Sequence, residues 1–533
     1  MKRGGTLNNK EALRRERILK GNLWVTILAI CFPLMIYQAF NSWYTVIDQL
    51  ICASISTTAQ NAVASIAQIK NTISALGAGL AAGGGVLVAR FFGAGDIHNA
   101  RGTGSNLLLM SIILSLITAG VIIPLAYPIL KICQIAPDSI AIGRPYFQLQ
   151  MLELTFISIN NVFIALEKAR GRSHTILILN FIVMGIKIGL TCLFIYGFKF
   201  NDIIYVELAT IIGQAVLTIV GLFMLFSKNS LIRLSIKLMK PRGKYVIPII
   251  KLSVPIFLGK FVMNLGKVIV NAMCGFFWND YTSDTVIGSL IVGTLGISNN
   301  MSGLITSPAN SFEEGESSIV SQNVGNRNLK RALKIFVRTF VLATVFSLVG
   351  WVLMRFVFIN PLTELFTLTN KAADMEIFRN MVREIFKYDS LSIPALGIAA
   401  AVLGLLYGLG QTKLATVFNL SRIGSRIIIL FVLHLTPLKD NPTLCAGLSM
   451  GISNIIIMVL SLAVLLGYLL HIKNHGFQGM YLTDPEPEVR KLVLDDDIKL
   501  DNDEAPIDEN KPDPLEPEMN PDISDLKTSD SVQ

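Results

Sequence analysis

The chain has 533 residues, 52% of them hydrophobic and only 16% charged, with a mean hydropathy of +0.57. Soluble domains carry roughly 25% charged residues, so this composition excludes a soluble globular protein and points to an integral membrane one. The formal net charge is +9, but residues 484–533 hold 17 acidic against 5 basic side chains, a net of −12 that leaves +21 on the rest. That excess reads as membrane topology and attraction to anionic lipid, not as a nucleic-acid footprint.

Residues 1–22 are basic, with Lys2, Arg3, Lys10, Arg14, Arg15, Arg17 and Lys20 ahead of the first apolar run. No small-residue cleavage site follows, so that run is expected to stay as an anchor. Apolar stretches of about 20 residues, the length at which a helix crosses a bilayer, start near Leu23, Ala62, Asn106, Gln148, Thr175 and Ile203. A second set starts near Val246, Val286, Ala332, Ile377, Leu414 and Ala446. Alternating short strands are absent, which leaves helices as the only way to satisfy the backbone in hydrocarbon. The expected fold is therefore an all-α polytopic membrane protein with twelve transmembrane helices.

Every second loop is basic: Arg90 and Arg101; Lys168, Arg170 and Arg172; Arg233, Lys237, Lys240, Arg242 and Lys244; Arg327, Lys330, Arg331 and Lys334. By the positive-inside rule both termini face the cytoplasm, and the acidic loop at 278–284 faces outside. Expected divisions are a basic N-terminus at 1–22, six-helix lobes at 23–226 and 246–472, a basic linker at 227–245 and an acidic, disordered cytoplasmic tail at 473–533. The six cysteines, Cys31, Cys52, Cys133, Cys192, Cys274 and Cys445, have no CxxC spacing, so no disulfide or metal site is assigned.

The two lobes repeat one another. Residues 83–100 align with 315–332 at an offset of 232, pairing Gly83 with Gly315, Gly93 with Gly325 and Ala100 with Ala332. Pro33 has a counterpart in Pro255, and residues 166–175 align with 405–414 at an offset of 239, which sets Asn180 on Asn419 and Lys187 on Arg426. Two parallel-repeat six-helix lobes are a transporter signature, with the substrate path between them.

Several strings in this frame, namely "YTVIDQL" at 44–50, "VLVARFFGAGD" at 86–96, "ARGRSHT" followed by Asn180, "ELATIIGQ" at 207–214, "IVSQNVGNRN" and "GLGQTK", resemble the multidrug and toxic compound extrusion (MATE) transporters. The resemblance covers residues 23 to about 472. It implies an antiporter that exports amphipathic, usually cationic, organic compounds while protons or sodium ions enter, with no other cofactor. Its partners are then a small organic molecule and the lipid bilayer of the plasma or inner membrane, and the chain is expected to act as a monomer. In prokaryotic members a first-helix Asp, here Asp48, gathers with a fifth-helix Asn, a polar residue four further on and a sixth-helix Thr. The Asn position is taken here by Lys187, the polar one by Thr191 and the Thr by Thr210.

Lys187 lies about 18 Å along an outward-running helix at the α-helical rise, where an unpaired lysine costs at least ~2.5 kcal/mol. Asp48 is its expected partner. That pair is either static or part of the coupling cycle, and a snorkelling lysine is the third alternative. A fixed cation there would repel sodium. Glu207, three residues before Thr210, either compensates or sits at the interface, and Asn180 completes the candidate set of this lobe.

In the second lobe Lys260, Asn264 and Lys267 recur on one helical face, while Glu313 and Glu316 share a face with Glu314 beside them. Glu313 is expected near the depth of Lys260. These groups form either a static network or the place where a cationic cargo or proton competes with lysine. Asp389, read as the start of the tenth span, is a further candidate. "GAGLAAGGG" at 77–85 lacks a phosphate-loop ending and reads as close helix packing. "GAGD" at 93–96 with "YD" at 388–389 resembles the motifs of intramembrane aspartyl proteases, but their order is reversed and Asp96 falls in a basic loop. Three readings therefore stand: a MATE-type antiporter, a flippase for lipid-linked intermediates in the same superfamily, and, third, the protease.

Overall fold

The computed structural model describes residues 2–55, 57–132, 137–200, 202–227, 230–278, 286–367 and 375–475. The expectations for the loop at 279–284 and for the tail from 476 onward lie outside these. Described residues are helical apart from short turns. The first lobe comprises α1 (Lys2–Lys20), α2 (Leu23–Ile55), α3 (Thr57–Ala94), α4 (Ile97–Ile122), α5 (Ala126–Ile132), α6 (Pro137–Ala169), α7 (Ser173–Cys192) and α8 (Ile203–Phe226). The second comprises α9 (Gly243–Phe277), α10 (Val286–Gly325), α11 (Leu329–Val352), α12 (Ile359–Thr367), α13 (Met375–Asp389), α14 (Ser392–Gly408), α15 (Thr412–His434) and α16 (Pro442–His475).

Eleven segments among the described residues are long and apolar enough to cross a membrane, with α11–α12 and α13–α14 each counting as one. The twelfth span is α10, 40 residues long, whose composition is diluted by Glu313, Glu314, Glu316 and many Ser and Asn side chains. Large apolar residues face outward on all sides, Phe223 at 80% exposure among them, as a lipid-facing surface requires.

The repeat is carried by the helix boundaries. α11 starts 232 residues after α4, and α15 and α16 start 239 residues after α7 and α8. Caps repeat too: Asp96 accepts from the Asn99 amide and Asn328 from the Arg331 amide, both at 3.0 Å, each holding orphan N–H groups at the first turn of its helix. α6 runs unbroken, whereas its counterpart is interrupted between α13 and α14. The first lobe packs Leu87, Phe91, Leu107, Phe163 and Leu166 together; the second packs Ile319, Ile335, Phe336, Val402 and Phe418.

The expected close packing of residues 77–85 is present between the lobes: a Cβ on Gly79 would stand 2.7 Å from the Phe257 Cα. The lobes also meet at the end carrying the basic loops. There Lys168 pairs with Glu314 at 2.7 Å, Gln322 donates to the Ala169 carbonyl at 3.0 Å and Ser318 to the Lys168 carbonyl at 2.9 Å. α1 lies across this closure: Arg15 donates to the Phe92 and Gly93 carbonyls of the first lobe, and the Ile18 and Gly21 carbonyls accept from Arg331 of the second.

Candidate functional site

Beyond that closure the lobes enclose a cavity of about 570 Å³, within the range of small-molecule sites. Its walls come from the halves of the helices distant from the basic end: Asn41 to Val46 of α2, Gln68 to Ala78 of α3, Lys260 to Asn271 of α9 and Asn299 to Glu314 of α10, with α14, α15 and α16 behind.

A cluster of charges lies in the first lobe. Lys70 of α3 forms an ion pair with Glu153 of α6, and Glu207 of α8, 2% exposed, accepts from Gln150 at 3.4 Å. Asp48 and Lys187 are within electrostatic reach of this group. The expected ion pair between Asp48 and Lys187 is not formed. The Lys187 ammonium instead stands 5.2 Å from the centre of the Tyr44 ring, a cation–π contact that partly replaces lost hydration. Asp48 Oδ1 accepts no hydrogen bond among the described residues. Tyr44 O–H and the Thr210 hydroxyl are 3.3 Å apart. Thr191 is buried nearby on α7 with its hydroxyl unpartnered. Asn180 stays apart, donating to the Ile176 carbonyl and lining a side pocket of about 190 Å³ that Lys187 also borders.

The second lobe is organised around Asp389. It is not at the start of its span but at the break between α13 and α14, well inside the segment Glu376–Gly408, and is 2% exposed. The break turns its carboxylate toward hydroxyls: Ser298 and Ser302 of α10 donate to Oδ2 at 3.0 and 2.6 Å, and Ser392 to Oδ1 at 3.0 Å. Lys260, Asn264 and Lys267 line the cavity as their spacing indicated, with Asn264 donating to the Asn71 carbonyl of the first lobe at 2.9 Å. Glu313 and Glu314 also line it, within electrostatic reach of Lys260. Glu316 does not. It is fully buried toward α14, and both its oxygens lack a hydrogen-bond partner among the described residues.

Four participants are not among the candidate residues named from the sequence: Lys70, Glu153 and, on α15, Arg422 and Arg426, the last of which the repeat only sets opposite Lys187. The signal was present, because each is a charge inside an apolar span. The repeat also relates the two centres. At the offsets of 232 and 239, Lys70 maps to Ser302, Gln150 to Asp389, Glu153 to Ser392 and Lys187 to Arg426. Asp96, the other half of the protease motif, only caps α4 at the basic end, so no carboxylate pair can form with Asp389.

The MatE family model matches residues 33–193 and 255–432. No curated protein matches the sequence. Among solved structures, a MOP superfamily transporter from Pyrococcus furiosus, described as having a binding pocket of reversed polarity that suggests a different function, is similar over 86% of this chain and 98% of that one, at 16% identity and a TM-score of 0.78. An outward-facing multidrug resistance MATE transporter of the MOP superfamily matches with the same coverage and identity at a TM-score of 0.77. MATE in its straight conformation matches at 17% identity and 0.75, again over 86% and 98%. Identities this low speak for the fold alone, the twelve-helix MATE arrangement. The matched segments of the family model fall one in each lobe and cover more than half of the chain, which therefore belongs to the MatE family of multi-pass membrane transporters, not to the enzymes.

Proposed function

We propose that the chain is a secondary active antiporter that exports amphipathic organic compounds in exchange for protons by alternating access. The observation that carries this reading is the first-lobe cluster: three carboxylates and two lysines inside spanning helices, with Glu153 the only one of these carboxylates in a direct ion pair among the described residues. Asp48 and Glu207 are left to take and release protons. Sodium is disfavoured because two ammonium groups share the cluster. Closure at the basic end, with the cavity beyond it, corresponds to an outward-facing state if the basic loops are cytoplasmic. The cationic cargo implied by the resemblance finds little to receive it, since Glu314 is paired with Lys168, Glu313 faces Lys260 and Asp389 is held by serines. A second reading, a flippase for lipid-linked intermediates, is favoured by Lys267, Arg422 and Arg426, which line the same cavity.

The test is uptake of a fluorescent amphipathic compound by purified protein in liposomes. A pH gradient should drive it, a sodium gradient alone should not, and Asp48→Asn and Glu207→Gln should each lower gradient-driven uptake at least about tenfold, the factor for 1.4 kcal/mol. Uptake indifferent to the pH gradient would sink the proton-antiport reading, and movement confined to labelled lipid would replace it with the flippase.

A further inference from the structure

Arg422 and Arg426 stand one helical turn apart on α15, so both project from one face, and Lys267 of α9 meets them there. All three line the cavity and act on one another electrostatically, with Asp389 as the acidic group that all three share. None has a carboxylate within 4.0 Å among the described residues, and both Asp389 oxygens are already engaged by hydroxyls. Arg426 is 2% exposed and spends its Nε on Ser453 at 3.0 Å. Arg422 reaches only the Met263 sulfur, at 3.3 Å, and its Nε has no partner. A guanidinium has five N–H donors, so most of this donor capacity is uncommitted.

Like charges at this spacing repel, and cations inside a membrane are costly unless an anion joins them. Three converging cations around one sequestered carboxylate leave a net positive wall. We propose that this half of the cavity, formed by Lys267, Arg422 and Arg426, is an anion-binding subsite that takes the phosphate or carboxylate head group of an amphipathic cargo. Guanidinium forks match both groups bidentately. Met450, Ile457, Leu396 and Leu403, which line the same cavity, supply an apolar surface for the rest of the molecule. The inference rests on the exporter reading only for the direction of movement; recognition stands apart from it.

Binding is therefore measured without any ion gradient, on the full chain in discs of zwitterionic lipid. The probes are naphthyl phosphate as a soluble anion, dihexanoyl phosphatidic acid as a lipid head group, and naphthylmethylammonium as the matched cation. At least one phosphate should bind and the cation should not compete. Preference between the two phosphates identifies the source as free organic anion or lipid, and either supports the subsite. Arg422→Gln and Lys267→Gln should each weaken phosphate binding about tenfold, with Arg422→Lys recovering part of the loss. Cation binding stronger than either phosphate, or inorganic phosphate binding as tightly as both organic ones, overturns the proposal, as does unchanged affinity in both glutamine variants. The wild-type competition decides the matter even if a variant fails to fold. Phosphate binding intact without gradient-driven uptake refutes the exporter reading alone; cation-selective binding with uptake intact refutes the subsite alone.

Discussion

Lys70 and Glu153 belong to helices that the sequence separates by a whole span, and their ion pair ties α3 to α6 inside the first lobe. Removing one partner strands the other, at about 3 to 5 kcal/mol for a buried pair. Lys70→Met is therefore expected to lower the thermal stability of the purified protein more than Lys70→Met with Glu153→Gln does. Additive losses in that double-mutant cycle would show that the pair does not couple energetically. By contrast, Lys187 was legible as a costly charge but its partner was not. Depth counting brought Asp48 and Lys187 to one level, yet the aromatic ring of Tyr44 occupies the position expected for the carboxylate. Depth along a helix follows from the sequence; azimuth, which decides what a side chain faces, does not.

Helix ends repeat more faithfully than helix interiors. Asp96 and Asn328, 232 residues apart, cap α4 and α11 in the same way. Asp96→Ala and Asn328→Ala should each cost about 1 kcal/mol, and because both caps flank the glycine contact between the lobes, the double variant reports whether they couple. Thermal unfolding of the three variants measures this, and a loss at only one site would mean that the repeat no longer shares its capping energetics. Interiors have diverged instead: Lys70 and Glu153 correspond to Ser302 and Ser392, so the same places hold an ion pair in one lobe and two hydroxyl donors to Asp389 in the other. The interruption between α13 and α14 has no counterpart in α6. Apolar counting placed a single span there, although the charge content changes at the break: α13 carries Glu376, Arg379, Arg383, Glu384, Lys387 and Asp389, whereas α14 carries no charge.

The whole molecule is closed at one end by backbone contact between the lobes, and glycines make that contact possible. A Cβ on Gly325 would overlap the Arg90 carbonyl, and one on Gly93 the Gln322 carbonyl. Gly325→Ala should weaken this closure, move the population toward the opposite-facing state and slow labelling of Asn310→Cys in the cavity from the far side about tenfold, the effect of 1.4 kcal/mol. Gly424→Ala, with open space around it, is the control, and equal labelling in the two variants would show that the glycine contact does not hold the closure. Topology is tested separately on a cysteine-less background in intact cells. A cysteine at Ser283 should react with an impermeant reagent and one at Ser235 should not; the reverse pattern would invert the orientation.

Hydropathy and the internal offsets determined span number and repeat from the sequence alone, and the motif strings carried the resemblance to the family, because each depends on properties local to the chain. Residue identity also marked Asp48, Lys187, Glu207 and the α10 carboxylates as charges requiring a reason. The tertiary structure decided which of them meet. It separated Glu316 from Glu313 and Glu314, centred the second lobe on Asp389, and gathered Arg422, Arg426 and Lys267 on one wall. The physical reason is that the cost of a buried charge is set by partners on other helices, and rotation of one helix against the next is fixed by side-chain packing between segments hundreds of residues apart.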